Sequence, residues 1–142
     1  MPEYQLYIAA PLSEIHRARH VATLVRRHTK IEVVSTWHEQ PAADKDPDDP
    51  SLCKEILATN TYDLLHASCL LALTKDGIGR ETYIEIGRAI AWSRPVLWSR
   101  QKGGLCLSQY QSQVRCFDTD LDCVEFMASP LFRDFHSPPI FP

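Results

Sequence analysis

Glu85 is the side chain best placed to do chemistry. It lies in the stretch Gly79-Arg80-Glu81-Thr82-Tyr83-Ile84-Glu85-Ile86-Gly87-Arg88-Ala89-Ile90-Ala91-Trp92. An apolar run, Cys69 to Leu73, and a glycine-bearing loop, Thr74 to Ile78, come before it; a second apolar run, Pro95 to Trp98, follows. That order reads strand, loop, helix, strand. A carboxylate within two turns of a helix start, just past a strand end, sits where open α/β sheets bind ligands. The helix dipole there favours its ionised form. Glu81, at i−4, shares roughly the same helix face. Two neighbouring carboxylates can divide acid and nucleophile roles, because each raises the other's proton affinity. They can equally form a solvated acidic face. Gly87 removes a side chain beside Glu85 and leaves room for an approaching group.

The elements that must position Glu85 follow from the pattern of apolar residues. Tyr4 to Ala9 reads as a buried strand, ended by Pro11-Leu12-Ser13, with Ser13 as a plausible N-cap. Ile15, Ala18, Ala22, Leu24 and Val25 give a helical stripe. Ile31 to Ser35 is β-branched and reads as the second strand. Gln40 to Pro50, rich in proline and aspartate, reads as a loop. Ser51 to Leu65 resumes a helical pattern through Ile56, Leu57, Leu64 and Leu65. Cys69 to Leu73 is continuous and apolar, as a central parallel strand covered on both faces requires. Arg80 to Trp92 is the third helix and Pro95 to Trp98 the fourth strand. Gln101 to Gly104 reads as a turn, Leu105 to Gln113 as a short helix, Val114 to Phe117 as an edge strand and Leu121 to Ala128 as a last helix. The expected fold is α/β: one doubly wound, flavodoxin-like domain over 1–128, with a five-stranded parallel sheet and helices on both faces. A proline-rich C-terminal tail, 129–142, docks on its surface.

Bulk composition narrows the function. A net charge of −3 lacks the basic footprint of a nucleic-acid binder, so no nucleic acid polymer is expected as a partner. No apolar run approaches the roughly 20 residues of a membrane span. The chain starts without a signal-type apolar core. Five cysteines, an odd number without paired spacing, fit reduced thiols. A cytoplasmic protein is therefore expected. No CxxC and no zinc-type His/Cys spacing occurs, so no metal is expected.

The stretch Tyr83-Ile84-Glu85-Ile86-Gly87-Arg88-Ala89-Ile90-Ala91, followed by Arg94-Pro95-Val96-Leu97, resembles the signature of the nucleoside 2-deoxyribosyltransferase family. That family includes the 2'-deoxynucleoside 5'-monophosphate N-glycosidases. Its pattern is a small-residue loop, then Glu-(Leu/Ile)-Gly-x-Ala, then a Lys/Arg-Pro-Val strand. The resemblance extends weakly from Tyr7 to about Ser108. It implies that Glu85 attacks the anomeric carbon of a sugar and expels the base. It also implies no cofactor, a nucleoside or nucleotide as the small-molecule partner, and a homodimer or higher homo-oligomer.

Further positions carry over from the same resemblance. Tyr7-Ile8-Ala9-Ala10-Pro11-Leu12 is similar to the family's first strand and sugar-side loop, with Ala10 where a glycine is common. Backbone groups there could hold a ligand, and Ser13 could reach a phosphate; the plainer reading of Pro11 and Ser13 is a helix start. Trp37 would stack on a base and His38 would touch its edge, the alternative being a buried tryptophan beside an exposed histidine. Gly77 and Gly79 allow close backbone approach, and Arg80 could pair with a phosphate. Ser108, in Leu105-Cys106-Leu107-Ser108-Gln109, resembles the serine that relatives send into a neighbouring subunit's phosphate site. One family residue is displaced: where an aspartate is usual before the third strand, this chain has Thr61, with Asn60 before it and Asp63 two residues on. A two-residue offset turns a helical side chain by about 200°. Asp63 is thus an imperfect candidate for the second catalytic acid, beside Glu81, Asp76 and Glu39. The rival to an enzyme is a nucleotide-binding module of the same fold without turnover.

Overall fold

Leu6, Tyr7, Ile8 and Ala9 have no solvent exposure, and neither do Leu70 to Leu73. Strands buried on both faces need helices above and below them, and these two runs form the middle of the sheet. The computed structural model describes residues 3–40, 48–75, 78–100 and 111–136. Its strands are β1 (Gln5–Ala9), β2 (Glu32–Val33), β3 (Cys69–Leu73), β4 (Val96–Ser99) and β5 (Val114–Phe117). All pair in parallel, in the order β2-β1-β3-β4-β5. The helices are α1 (Ile15–His28), α2 (Pro50–His66), α3 (Arg80–Ala91), α4 (Asp120–Met127) and α5 (Leu131–His136).

The strand order reverses direction between β1 and β3. Right-handed crossovers that run in opposite directions put their helices on opposite faces. The β1-to-β2 crossover carries α1; the crossovers that follow carry α2 and α3 on the other face. Helix α4 returns to pack against α1. The chain is thus an α/β protein with the expected five-stranded parallel sheet. The reversal leaves a crevice at the carboxyl ends of β1 and β3.

Several boundaries differ from the sequence reading. Strand β2 keeps only Glu32–Val33. Ser35, expected in the strand, instead uses its hydroxyl to accept the Ile8 amide hydrogen at 3.0 Å. Ser13 does not cap α1. Leu12–Glu14 is a 3-10 turn closed by the Glu14 amide on the Pro11 carbonyl at 2.8 Å, and Ser13 is exposed within it. Helix α2 starts at Pro50, where Asp49 caps the Ser51 and Leu52 amides at 3.0 and 3.2 Å. The start of the 129–142 tail folds into α5, whose Phe132 is buried in the core against Phe126 and Tyr4. The predicted turn at 101–104, most of the predicted helix at 105–113 and most of the 40–50 loop lie outside the described residues, as do Gly77 and Ser108.

Gly79, the cap of α3, has φ of +98°. A β-carbon there would lie 2.6 Å from Pro11 Cγ. The loop after β1 and the start of α3 therefore touch only because this residue is glycine. Gly79→Ala is expected to lower unfolding stability by about 2 kcal/mol, from the left-handed backbone and the displaced proline. Urea denaturation of the variant at neutral pH measures this.

Candidate functional site

Helix α3 turns Thr82, Glu85, Ile86 and Ala89 inward, the i, i+3, i+4, i+7 face of an amphipathic helix. Ile86 and Ala89 suit a core; Thr82 buries a hydroxyl that no described residue bonds, and Glu85 is a carboxyl among them. It is 9% exposed, and the Tyr7 hydroxyl, rising from β1, donates a hydrogen bond to its Oε2. Burial raises the Glu85 pKa from its ordinary 4.5 to about 7, and the nearby Glu81 charge adds to this; the Tyr7 hydrogen bond and the Arg88 charge oppose it. Burial also holds the Tyr7 phenol well above its usual range, with the Glu85 charge adding to the effect. The phenol therefore keeps its proton and acts as donor. At neutral pH the Glu85 carboxyl is close to half ionised, which suits a group that must act as an anion and be released as a neutral acid.

This carboxyl faces a hollow of about 440 Å³, within the usual range for small-molecule sites. Its floor is Tyr7 and Ala10 at the end of β1, with Leu12 and Trp37 beside them. Glu81, Glu85 and Arg88 of α3 form one wall. Cys53, Ile56, Leu57 and Asn60 of α2 form the other. Trp37 is only 6% exposed, and its indole N–H donates to the Ile8 carbonyl at 2.7 Å, which fixes the ring as a rigid apolar surface. Most of the lining is thus apolar, with two carboxyls, one guanidinium and one amide converging on it.

The structure brings together Tyr7, Ala10, Trp37, Glu81 and Glu85 of the candidates read from sequence. Pro11 is buried but serves the contact with Gly79. Ser13 and Arg80 are exposed and are not part of the wall. His38 is fully buried, not exposed; its Nε2 lies 2.9 Å from Ser35 Oγ, and its ring does not border the hollow. Burial lowers its pKa, so it stays neutral. Asp63, 8% exposed, accepts from the Thr36 hydroxyl at 2.7 Å and the Thr36 amide at 3.2 Å. It ties α2 to the segment carrying Trp37 and is not on the wall. Glu39 is exposed and pairs with Arg26 at 2.5 Å. A β-carbon on Gly87 would meet nothing within 4 Å, on the exposed side of α3.

Sequence reasoning missed Arg88 and the α2 wall. Arg88 had a signal, since it stands three residues after Glu85 and so on the same helix face. Among the described residues no hydrogen bond or ion pair engages its guanidinium. In α2 only Asp63 and Leu64 are buried. Ile56 and Leu57 read as core residues in the sequence but border the hollow instead.

The Tyr7 hydrogen bond makes a testable link between the two central residues. Tyr7→Phe removes the donor that favours ionised Glu85, so its pKa rises above about 7. If Glu85 acts as an anion, the acidic limb of the kcat/KM profile moves to higher pH. A charge-assisted bond of roughly 1.5 kcal/mol corresponds to about one pH unit.

No family profile and no curated protein matches this sequence. Among solved structures, the chain is similar to a 2-deoxyribosyltransferase from the psychrotolerant bacterium Bacillus psychrosaccharolyticus. The TM-score is 0.63, over 83% of this chain and 88% of that one. The likeness is one of fold. At 15% identity it does not transfer catalytic residues or substrate. No helix among the described residues is long and apolar enough to cross a membrane.

Proposed function

We propose that the protein cleaves or exchanges the N-glycosidic bond of a nucleoside, deoxynucleoside or nucleoside 5'-monophosphate, with Glu85 as nucleophile. The observation that carries this reading is a nearly buried carboxyl on the wall of a half-open hollow, hydrogen-bonded by Tyr7, in a fold shared with a deoxyribosyltransferase. One Glu85 carboxylate oxygen forms a bond to the anomeric carbon as the carbon–nitrogen bond breaks. The electron pair leaves with the base, which takes a proton from a second acid. Glu81, an exposed carboxylate that borders the hollow, takes that proton up from solvent and passes it to the base. A carboxylate beside the anomeric carbon also stabilises the oxocarbenium-like charge of the transition state. Water then hydrolyses the glycosyl ester, or a second base takes its place.

Asp63, held by Thr36 away from the hollow, favours a second reading: the same pocket binds a nucleotide without turnover. Phosphate recognition by Gly77 and Ser108 stays part of the proposal, whereas Ser13, Gly79 and Arg80 do not border the hollow. A homodimer is also part of the proposal; the exposed Leu57, Tyr62 and Leu65 of α2, Ile84 of α3 and Trp92 just after it offer apolar surface for it. Incubation with deoxynucleosides and their monophosphates, read by release of free base, separates the readings. Turnover supports the enzyme; saturable binding with no base release supports the binding module.

A further inference from the structure

A second hollow of about 180 Å³ adjoins the first across Trp37, Ile56 and Asn60, which border both. Helix α2 generates the pair by its periodicity. Cys53 and Leu57 border only the larger space, Leu52, Glu55 and Thr59 only the smaller, and Ile56 and Asn60 both. Tyr7, Glu81, Glu85 and Arg88 border only the larger one. A nucleoside whose sugar meets Glu85 therefore has its base, and not its sugar, towards the shared boundary.

The smaller hollow is entered past Trp37, Ile56 and Asn60; beyond them it is lined by Leu52 and by the polar side chains of Gln40, Glu55 and Thr59, the last two exposed. Among the described residues no cation pairs with Glu55. We infer that this hollow is a specificity subsite for an alkyl arm on the nucleobase that ends in an ammonium group. The inference rests on the nucleoside-cleaving or nucleoside-binding reading of the main pocket. The arm's methylene groups lie along Ile56 and Leu52, and its cation meets the Glu55 carboxylate.

The test uses deoxyadenosine, its derivative N-butylated on the exocyclic amine, and the N-aminobutyl derivative. Binding is measured by calorimetry on the full chain. The aminobutyl compound is expected to bind about tenfold tighter than deoxyadenosine, the scale on which extra methylenes in a fitted pocket are felt. It should exceed the butyl compound by about threefold, as an ion pair with the exposed Glu55 allows. Glu55→Gln should remove that last difference while leaving deoxyadenosine affinity unchanged. Thr59→Phe, a substitution at an exposed helix position, should fill the subsite and weaken only the two extended compounds. Equal or weaker binding of the extended compounds, with deoxyadenosine still bound, overturns the subsite and spares the main pocket. An aminobutyl advantage that survives Glu55→Gln overturns the assignment of the cation to Glu55. Failure of all three to bind overturns the subsite as a reader of arms carried on adenine, and the base-release assay across deoxynucleosides and monophosphates then decides the main pocket.

Discussion

Glu85→Gln is expected to abolish release of free base, by about ten-thousandfold or more, while making the folded protein more stable at alkaline pH. The first effect follows from removing the only atom that forms the bond to the sugar in the proposed reaction; loss of a nucleophile costs on that scale. The second follows from where the carboxyl sits. Its folded pKa, about 7, lies above the ordinary 4.5. A group with a raised folded value binds protons more tightly in the native state. Its contribution to stability is full below about 4.5 and is lost as pH rises through 7. Above pH 8 wild type therefore carries a penalty of roughly 3 kcal/mol at most, which an uncharged glutamine of the same shape lacks. Denaturant unfolding of both proteins at pH 4 and pH 8 should give similar stabilities at the lower pH. At the higher pH the variant should be more stable by about 2 kcal/mol. Wild-type rates of base release from Glu85→Gln would remove Glu85 as nucleophile. A stability difference that does not change with pH would mean the carboxyl is solvated in solution.

How far this site can be read from the sequence depends on the range of each interaction. Glu85, Glu81 and their helix were legible because helix periodicity and the strand on either side are local patterns. The parallel sheet was legible for the same reason: Cys69 to Leu73 and Val96 to Ser99 are apolar runs with a helix between them. Ser13 misled because serine is a favoured N-cap residue, whereas here a 3-10 turn occupies its place. His38 misled because nothing in Trp37-His38-Glu39 tells that both rings are buried; Ser35 Oγ and the Arg19 guanidinium, which reaches the His38 carbonyl at 2.5 Å, hold the histidine inside. The Tyr7–Glu85 bond joins residues 78 positions apart, and no local pattern announces it. The α2 wall was hidden for a different reason. An apolar residue that lines a hollow and one that fills a core look alike in sequence, and only the missing partner on one side separates them.

The largest stability effect is expected on the face of the sheet away from the hollow. Arg17 of α1 makes a forked pair with Asp120, the first residue of α4: Nε to Oδ2 at 2.8 Å and Nη2 to Oδ1 at 2.7 Å. Its remaining Nη1 donates to the Thr74 carbonyl at the end of β3, at 3.0 Å. Ser99, ending β4, donates to Asp120 Oδ1 at 2.5 Å. One ion pair thus joins two helices and two strands. Burial by itself would raise the Asp120 pKa, but the hydrogen bonds from Arg17 and Ser99 outweigh it and hold the carboxyl below its ordinary 3.8. Asp120→Ala leaves a guanidinium only 10% exposed without its counter-charge, and breaking such a pair costs about 3–5 kcal/mol. That is a large part of the stability of a typical domain. Arg17→Met combined with Asp120→Leu removes both charges and should cost much less, because no ion is left buried. The pH dependence has the opposite sign to that of Glu85. A depressed carboxylate contributes stability above its unfolded value and loses it as pH falls through the folded one, so wild type should weaken below about pH 3.8 and Asp120→Ala should lack that limb. Together the two carboxyls place maximal stability at about pH 4 to 4.5, above the ordinary Asp120 value and below the ordinary Glu85 value. Denaturant unfolding of wild type, Asp120→Ala and the double variant at pH 3, 5.5 and 8 measures both limbs. A cost under about 1 kcal/mol for Asp120→Ala would place the pair among weak surface bridges and remove it as the tie between the four elements.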